Sequence, residues 1–185
     1  MRDGYPAGLG VRYAEAGDIA AIVAMVRRAQ DALTARGSRQ RLTVPSFGAV
    51  AAHIAARTAH VLVEGRTIVG SAFVEAVTAR QTPAFARWGL DDIACPLWSL
   101  HTLVIEPTAQ GRGWGHVLLD GIKVAVSVQG PTAIVLDCWA GNDTLRAFYA
   151  RNGFHLRGIF PEADYEIAVF VWHSPPPRAS SPAQC

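Results

Sequence analysis

Leu103-Val104-Ile105-Glu106-Pro107-Thr108-Ala109-Gln110-Gly111-Arg112-Gly113-Trp114-Gly115-His116-Val117-Leu118-Leu119 runs from a β-rich segment, through a proline and a glycine-rich turn, straight into an apolar helix. The first N–H groups of a helix have no partner within it and carry the positive end of its dipole. Glycines in front of them remove the side chains that would block a close approach. A pyrophosphate is the natural guest of that geometry. The spacing is not a P-loop, since no Gly-Lys-Ser/Thr follows. It is not the dinucleotide fingerprint either, because His116 stands where the third glycine belongs.

Outward from this stretch the chain reads as alternating strands and helices. Val11–Ala14 predicts a short strand. Asp18 is placed to cap a helix bearing Ile19, Ile22, Val23, Val26 and Leu33 at helical spacing, which Gly37 ends. A second helix is expected from Ser46, with Val50 and Ile54 on one face. His60–Glu64 and Thr67–Ala76 predict a hairpin about Gly65-Arg66, and 78–95 a long loop or a loop with a short helix. Strand Leu97–Glu106, helix Gly115–Ser127, strand Ala133–Trp139 and helix Thr144–Asn152 follow, then strands Phe154–Phe160 and Tyr165–Trp172 about a turn at Pro161–Asp164. The expectation is a single α/β (α+β) domain over 11–173, with flexible ends at 1–10 and 174–185. The strand-helix-strand unit from Leu97 to Trp139 should be parallel and right-handed.

Composition bounds the function. The 185 residues are 50% hydrophobic and 17% charged with a net charge of +2, enough to bury roughly 70% of the unfolded surface in one core. Arg27, Arg28, Arg36, Arg39 and Arg41 are the only modest basic cluster; it reads as a solvated helix end and loop. No basic stripe points to nucleic acid. The absence of an apolar run of about 18 residues argues against a membrane span. Cys95, Cys138 and Cys185 suggest neither a disulfide framework nor a zinc site, and His53, His60, His116, His155 and His173 have no metal-ligand spacing. A cytoplasmic protein without a metal is expected.

Gln110-x-x-Gly113-x-Gly115 after the Leu103-x-Ile105-x-Pro107 strand end, with Asn142 and Ala147-Phe148-Tyr149-Ala150-Arg151-Asn152-Gly153-Phe154 further on, resembles the acyl-CoA signature of the GNAT superfamily of N-acetyltransferases. The resemblance implies a bacterial member of that family. Its fold is a mixed, mostly antiparallel sheet of about seven strands, splayed at the fourth and fifth and flanked by about four helices. It further implies that the backbone of Leu103, Val104 and Ile105 pairs with the pantetheine arm of acetyl-CoA, and that an exposed N–H at Val104 or Ile105 polarises the thioester carbonyl. Gln110, Gly111, Arg112, Gly113, Trp114 and Gly115 hold the pyrophosphate, and Asn142 belongs to the second CoA segment. Tyr149 matches the family's acid, the group that protonates the departing thiolate. A homodimer is compatible with it.

His101, two residues before Leu103 on the same strand, is the candidate base, since an imidazole near its unperturbed pKa of ~6.5 accepts a proton readily. Glu75, Glu106 and Asp137 are rival carboxylates, with Glu106 better read as a strand-end surface charge. Cys138 reads as a small core residue and His116 as facing phosphates or solvent. The 78–95 loop with Trp88 and Trp98, the segment Gly37–Phe47 and the turn Pro161–Tyr165 are expected to recognise the acceptor. These readings converge on transfer of an acetyl group from acetyl-CoA to the primary amine of a small molecule, a metabolite or antibiotic. The alternatives are a protein lysine or N-terminal amine as acceptor and, in another class, a non-catalytic acyl-CoA sensor.

Overall fold

The computed structural model of the protein describes residues 8–78 and 83–175. Its elements are β1 (Leu9–Tyr13), α1 (Ile19–Ala35), α2 (Phe47–Ala55), β2 (Ala59–Glu64), β3 (Thr67–Val77), α3 (Pro83–Arg87), β4 (Leu97–Ile105), α4 (Trp114–Ser127), β5 (Ala133–Trp139), α5 (Asp143–Arg151), β6 (His155–Pro161) and β7 (Glu166–His173). The seven strands form one sheet in the order β1-β2-β3-β4-β5-β7-β6. All neighbours are antiparallel except β4 and β5, which are parallel, as the helix between them requires. The final hairpin folds back so that β7 lies between β5 and β6.

Alternating side chains on the strands build cores on both faces of the sheet. Leu62, Val74, Leu100, Leu136, Cys138 and Phe170 meet α4 and α5 on one face. On the other face Val61, Phe73 and Val104 meet Ile22, Met25 and Val26 of α1 and Val50 of α2. Further along that second face, Val135, Ile167, Val169 and Val171 are covered by Phe85, Trp88 and Leu90. Helix α5 begins at Asn142, whose side chain accepts from the Leu145 N–H at 3.0 Å, a cap worth about 1 kcal/mol. Ser46 caps α2 in the same way through Ala49.

Several expectations shift. The first strand begins at Leu9, so of the expected flexible ends 1–10 and 174–185 residues 9 and 10 are strand, while 1–7 and 176–185, Cys185 included, lie outside the described residues. Asp18 does not cap α1 with its side chain; its carboxylate takes the guanidinium of Arg12 at 2.6 Å and the N–H of Glu15 at 2.8 Å. The 78–95 stretch is a loop with a short helix, α3, one of its two expected forms, and also carries a 3-10 turn at Leu90–Asp92; the described residues hold five α-helices where about four were expected.

Candidate functional site

Strands β4 and β5 pair only at Leu97–Ser99 with Ala133–Val135. Beyond that they diverge, β4 running on to Ile105 and β5 to Trp139, and a cleft of about 1150 Å³ opens in the fork. One residue shapes the β4 wall. Thr102 has φ 52, a left-handed conformation that costs a β-branched residue on the order of 1–3 kcal/mol. The register slips there, with Ser71 opposite Val104 but Phe73 opposite His101. That bulge explains why Leu100 and Val104, an even number of residues apart, face opposite sides of the sheet.

Past the bulge the ladder is regular, and Glu106 donates its N–H to Val69 of β3. Alternation then turns the Val104 N–H toward β3 and leaves the Ile105 N–H and C=O facing the fork. Gln110 confirms the side: its Nε2 donates to the Ile105 carbonyl at 3.2 Å, so this amide pins the glycine turn to the strand end.

Gly113, at φ 79, is the N-cap of α4, and Gly111 at φ 82 precedes it. Neither has any atom within 4 Å of where a side chain would start. The cradle therefore presents bare backbone N–H groups to open space, which is the fit a pyrophosphate needs. Gly115 also lines the cleft and in addition serves packing, since a Cβ there would sit 3.2 Å from the Phe148 ring of α5.

Two side chains of this wall do other work. The Trp114 indole is buried in the core, and the Arg112 guanidinium lies 5.0 Å above it, outside the cleft lining. Arg151, one turn after Phe148 on α5, lines the cleft in its place; the sequence placed it within the segment that carries the resemblance but gave it no role of its own. Asn142 also lines the cleft, but its carbonyl oxygen is occupied as the α5 cap.

At the floor of the fork, Tyr149 is 5% exposed, packed against Phe148, Phe154 and Phe170, and still contributes to the cleft. Burial, reinforced by Cys138 and Asp137, drives its pKa well above the usual phenol value, so it carries its proton at neutral pH. Asp137 on β5 is reached by solvent through the cleft, yet protein surrounds it; desolvation, with Glu162 adding to it, raises its carboxyl. Cys138 is fully buried and its thiol pushed up to about 12, which makes it a core residue and not an acyl carrier.

His101 lines the β4 wall, its Nε2 3.1 Å from Glu75 Oε1 and its Nδ1 3.3 Å from Thr102 Oγ1. Desolvation lowers its pKa and the Glu75 carboxylate partly restores it. The net effect is a neutral imidazole at pH 7, able to accept a proton. Glu106 is no rival, because both its oxygens are held by Arg28 of α1 at 2.7 and 3.0 Å.

The remaining wall is the connector between α1 and α2. It has no regular structure over residues 38–46 but is tied at three points. Gln40 Oε1 accepts the Trp139 N–H of β5 at 2.7 Å, Arg39 donates to the Asp164 carbonyl in the β6–β7 turn at 3.2 Å, and Gln30 Oε1 accepts the Leu42 N–H at 2.5 Å. The connector thus straps across the fork from the face opposite α4 and α5.

His116 is exposed to solvent, one of the two settings expected of it, with its Nδ1 2.5 Å from Asn152 Oδ1 and its Nε2 3.3 Å from Asp120. Two expectations for the acceptor side fail. Trp88 is in the core, and the described part of the 78–95 loop lines a separate cavity of about 510 Å³ against β6 and β7, away from the fork; residues 79–82 lie outside the described residues. The turn Pro161–Tyr165 acts through the Asp164 carbonyl that holds the connector and does not line the cleft. Among the described residues no helix is long and apolar enough to cross a membrane, and no group of three His, Cys, Asp or Glu side chains is placed to hold a metal ion.

A sequence model described as the acetyltransferase (GNAT) family matches residues 52–154. No curated protein matches the sequence. Among solved structures, an acetyltransferase of the GNAT family from Streptococcus agalactiae 2603 superposes with a TM-score of 0.72 at 18% identity, over 92% of this chain and 98% of that one. The ribosomal-protein-S18-alanine N-acetyltransferase from Escherichia coli gives 0.64 at 15% identity, over 94% and 99%. A third, from Salmonella typhimurium, is a putative acetyltransferase with its cofactor acetyl-CoA; it gives 0.63 at 17%, over 96% and 99%.

Proposed function

The chain belongs to the acetyltransferase (GNAT) family, and from that premise we propose that it transfers the acetyl group of acetyl-CoA directly to the primary amine of a small molecule. The observation that carries the small acceptor is the strap. Gln40 and Arg39 tie the connector to β5 and to the β6–β7 turn, closing from that face the open groove that an extended protein segment would occupy.

Acetyl-CoA supplies the activated acyl group. The free N–H groups of Gly111 to Gly115 hold its pyrophosphate, with Arg151 adding charge from α5. The β4 edge from Leu103 to Ile105 offers strand-like pairing to the pantetheine arm, and the Ile105 N–H is directed to donate to a carbonyl developing negative charge. His101, kept neutral by burial, accepts a proton from the amine, whose ordinary pKa of ~10.4 leaves it charged in water. Tyr149, kept protonated by burial, donates to the departing thiolate.

A thermal-shift titration with acetyl-CoA, followed by a free-thiol release screen over small amines and lysine or N-terminal peptides, tests this reading. Stabilisation with thiol release from small amines is expected. Release from peptides alone would move the acceptor to the protein class, and stabilisation with no release from any amine would leave an acyl-CoA sensor.

A further inference from the structure

The charges around the fork are distributed unevenly. Arg36, Arg41 and Arg151 line the cleft, and none of the three forms an ion pair among the described residues. The acids that line it are Asp137 at the floor and Asp143, which is exposed to solvent and pairs with Arg146 at 3.3 Å. Arg151 lies on α5, beside the α4 cradle, and is accounted for by phosphates. Arg36 and Arg41 lie elsewhere: Arg36 is the C-cap of α1 and Arg41 belongs to the connector. Both stand across the sheet from α4.

The side chains of these two arginines are exposed, but the backbone that carries them is fixed. The connector that carries Arg41 is fixed immediately on both sides, by Gln40 on the Trp139 N–H and by Gln30 on the Leu42 N–H. The Arg36 N–H is bonded to the Leu33 and Thr34 carbonyls that end α1. A guanidinium without a carboxylate partner, carried on a fixed backbone, presents a planar set of donors that suits a carboxylate or phosphate. A monoamine without an acid group would find two unneutralised cations on its way into the fork, which repel it.

We propose that the acceptor is a small amine that also bears an anionic group, a carboxylate or a phosphate, which Arg36 and Arg41 hold at the mouth of the cleft while the amine reaches Asp137 and His101 in the fork. The inference rests on the small-amine reading above and narrows it to one class. An amino acid is the simplest compound of this kind, and an amino sugar phosphate or aminophosphonate another. The sequence showed these residues only as part of a basic cluster; the fold separates Arg28, bound to Glu106, Arg39, bound to a carbonyl, and Arg27, outside the cleft lining, from the two that line the cleft unpaired.

The test compares matched acceptors in the thiol-release assay: free amino acids and aminoalkyl phosphates against their methyl esters and against the amines lacking the acid. The anionic member of each set is expected to exceed the others in kcat/KM by about tenfold, the scale of a charge-assisted contact. Arg36→Ala and Arg41→Ala should each collapse that preference by raising KM for the anionic acceptor. Arg36→Glu together with Arg41→Glu should turn it around in favour of cationic diamines, a gain that misfolding cannot mimic. Loss of acetyl-CoA affinity in the alanine variants, by thermal shift, would instead assign the arginines to the cofactor and overturn the proposal. So would turnover of esters and simple amines as fast as of the acids, while leaving the transferase reading intact. Thiol release from no amine at all would defeat both.

Discussion

The two sides of the fork are built by opposite means. The α4 side is backbone: glycines in left-handed conformations, a helix start and an open strand edge, all anchored in the core that α4 and α5 share. The connector side is side chains: two glutamines and an arginine that hold an irregular segment by three polar contacts. Backbone N–H groups suit a phosphate, a group common to many ligands, whereas side chains can be exchanged without disturbing the fold. On the proposed function, the contrast assigns the cosubstrate to the backbone side and the choice of acceptor to the side-chain wall, which can be replaced without disturbing the fold.

The largest effect expected from breaking this arrangement is on the backbone side. Gly113→Val must force a β-branched residue to φ 79, at roughly 1–2 kcal/mol, and places a side chain in the open cradle. Acetyl-CoA stabilisation should vanish in a thermal-shift titration while circular dichroism keeps the native spectrum; retained binding would show that the cradle is not where the phosphates sit. Next is Tyr149→Phe, which keeps the buried ring and removes the proton. A fall in kcat of about 100-fold with unchanged acetyl-CoA affinity is expected, and an unaltered kcat assigns the acid elsewhere.

A smaller effect belongs to the border between the two sides. His101 must be deprotonated to act, and burial lowers its pKa, so the acid limb of kcat/KM should lie below pH 6.5. Glu75 raises that pKa by favouring the imidazolium; Glu75→Gln removes the influence and should move the limb to still lower pH. A limb that stays in place in this variant separates the base from His101. The least effect is expected from Gln40→Leu, which strips the Trp139 N–H of its partner. A loss of about 1 kcal/mol, a few degrees in melting temperature, should accompany a raised KM for the amine and an unmoved KM for acetyl-CoA. If both constants rise together, the strap serves the whole fork and the division between its sides fails.

The same division explains what could be read from the sequence. Strand Ala133–Trp139 lies where its apolar run placed it, and α4 starts one residue before expectation, because periodicity and glycine spacing are local properties. Thr102 was invisible: a β-branched residue in a strand run predicts extended backbone, and only the pairing with β3 reveals the bulge. The Gln40–Trp139 and Arg28–Glu106 contacts join residues 99 and 78 positions apart, and no local pattern encodes such pairs. The His116–Asn152 contact, 36 residues apart, was hidden for the same reason.

The three-residue pairing of β4 with β5 has a consequence for motion. The sheet is two plates, β1–β4 and β5–β7–β6, riveted at one end of a seam. Amides along the open stretch of that seam have no ladder partner there and should exchange with deuterium faster than those in the β2–β3 or β5–β7 pairs. A pantetheine arm seated in the fork would act as the missing rungs, so the cosubstrate would be in part a structural strand. Its binding energy would then appear as slowed exchange on both plates at once, coupling two halves that the polypeptide alone joins by a short hinge.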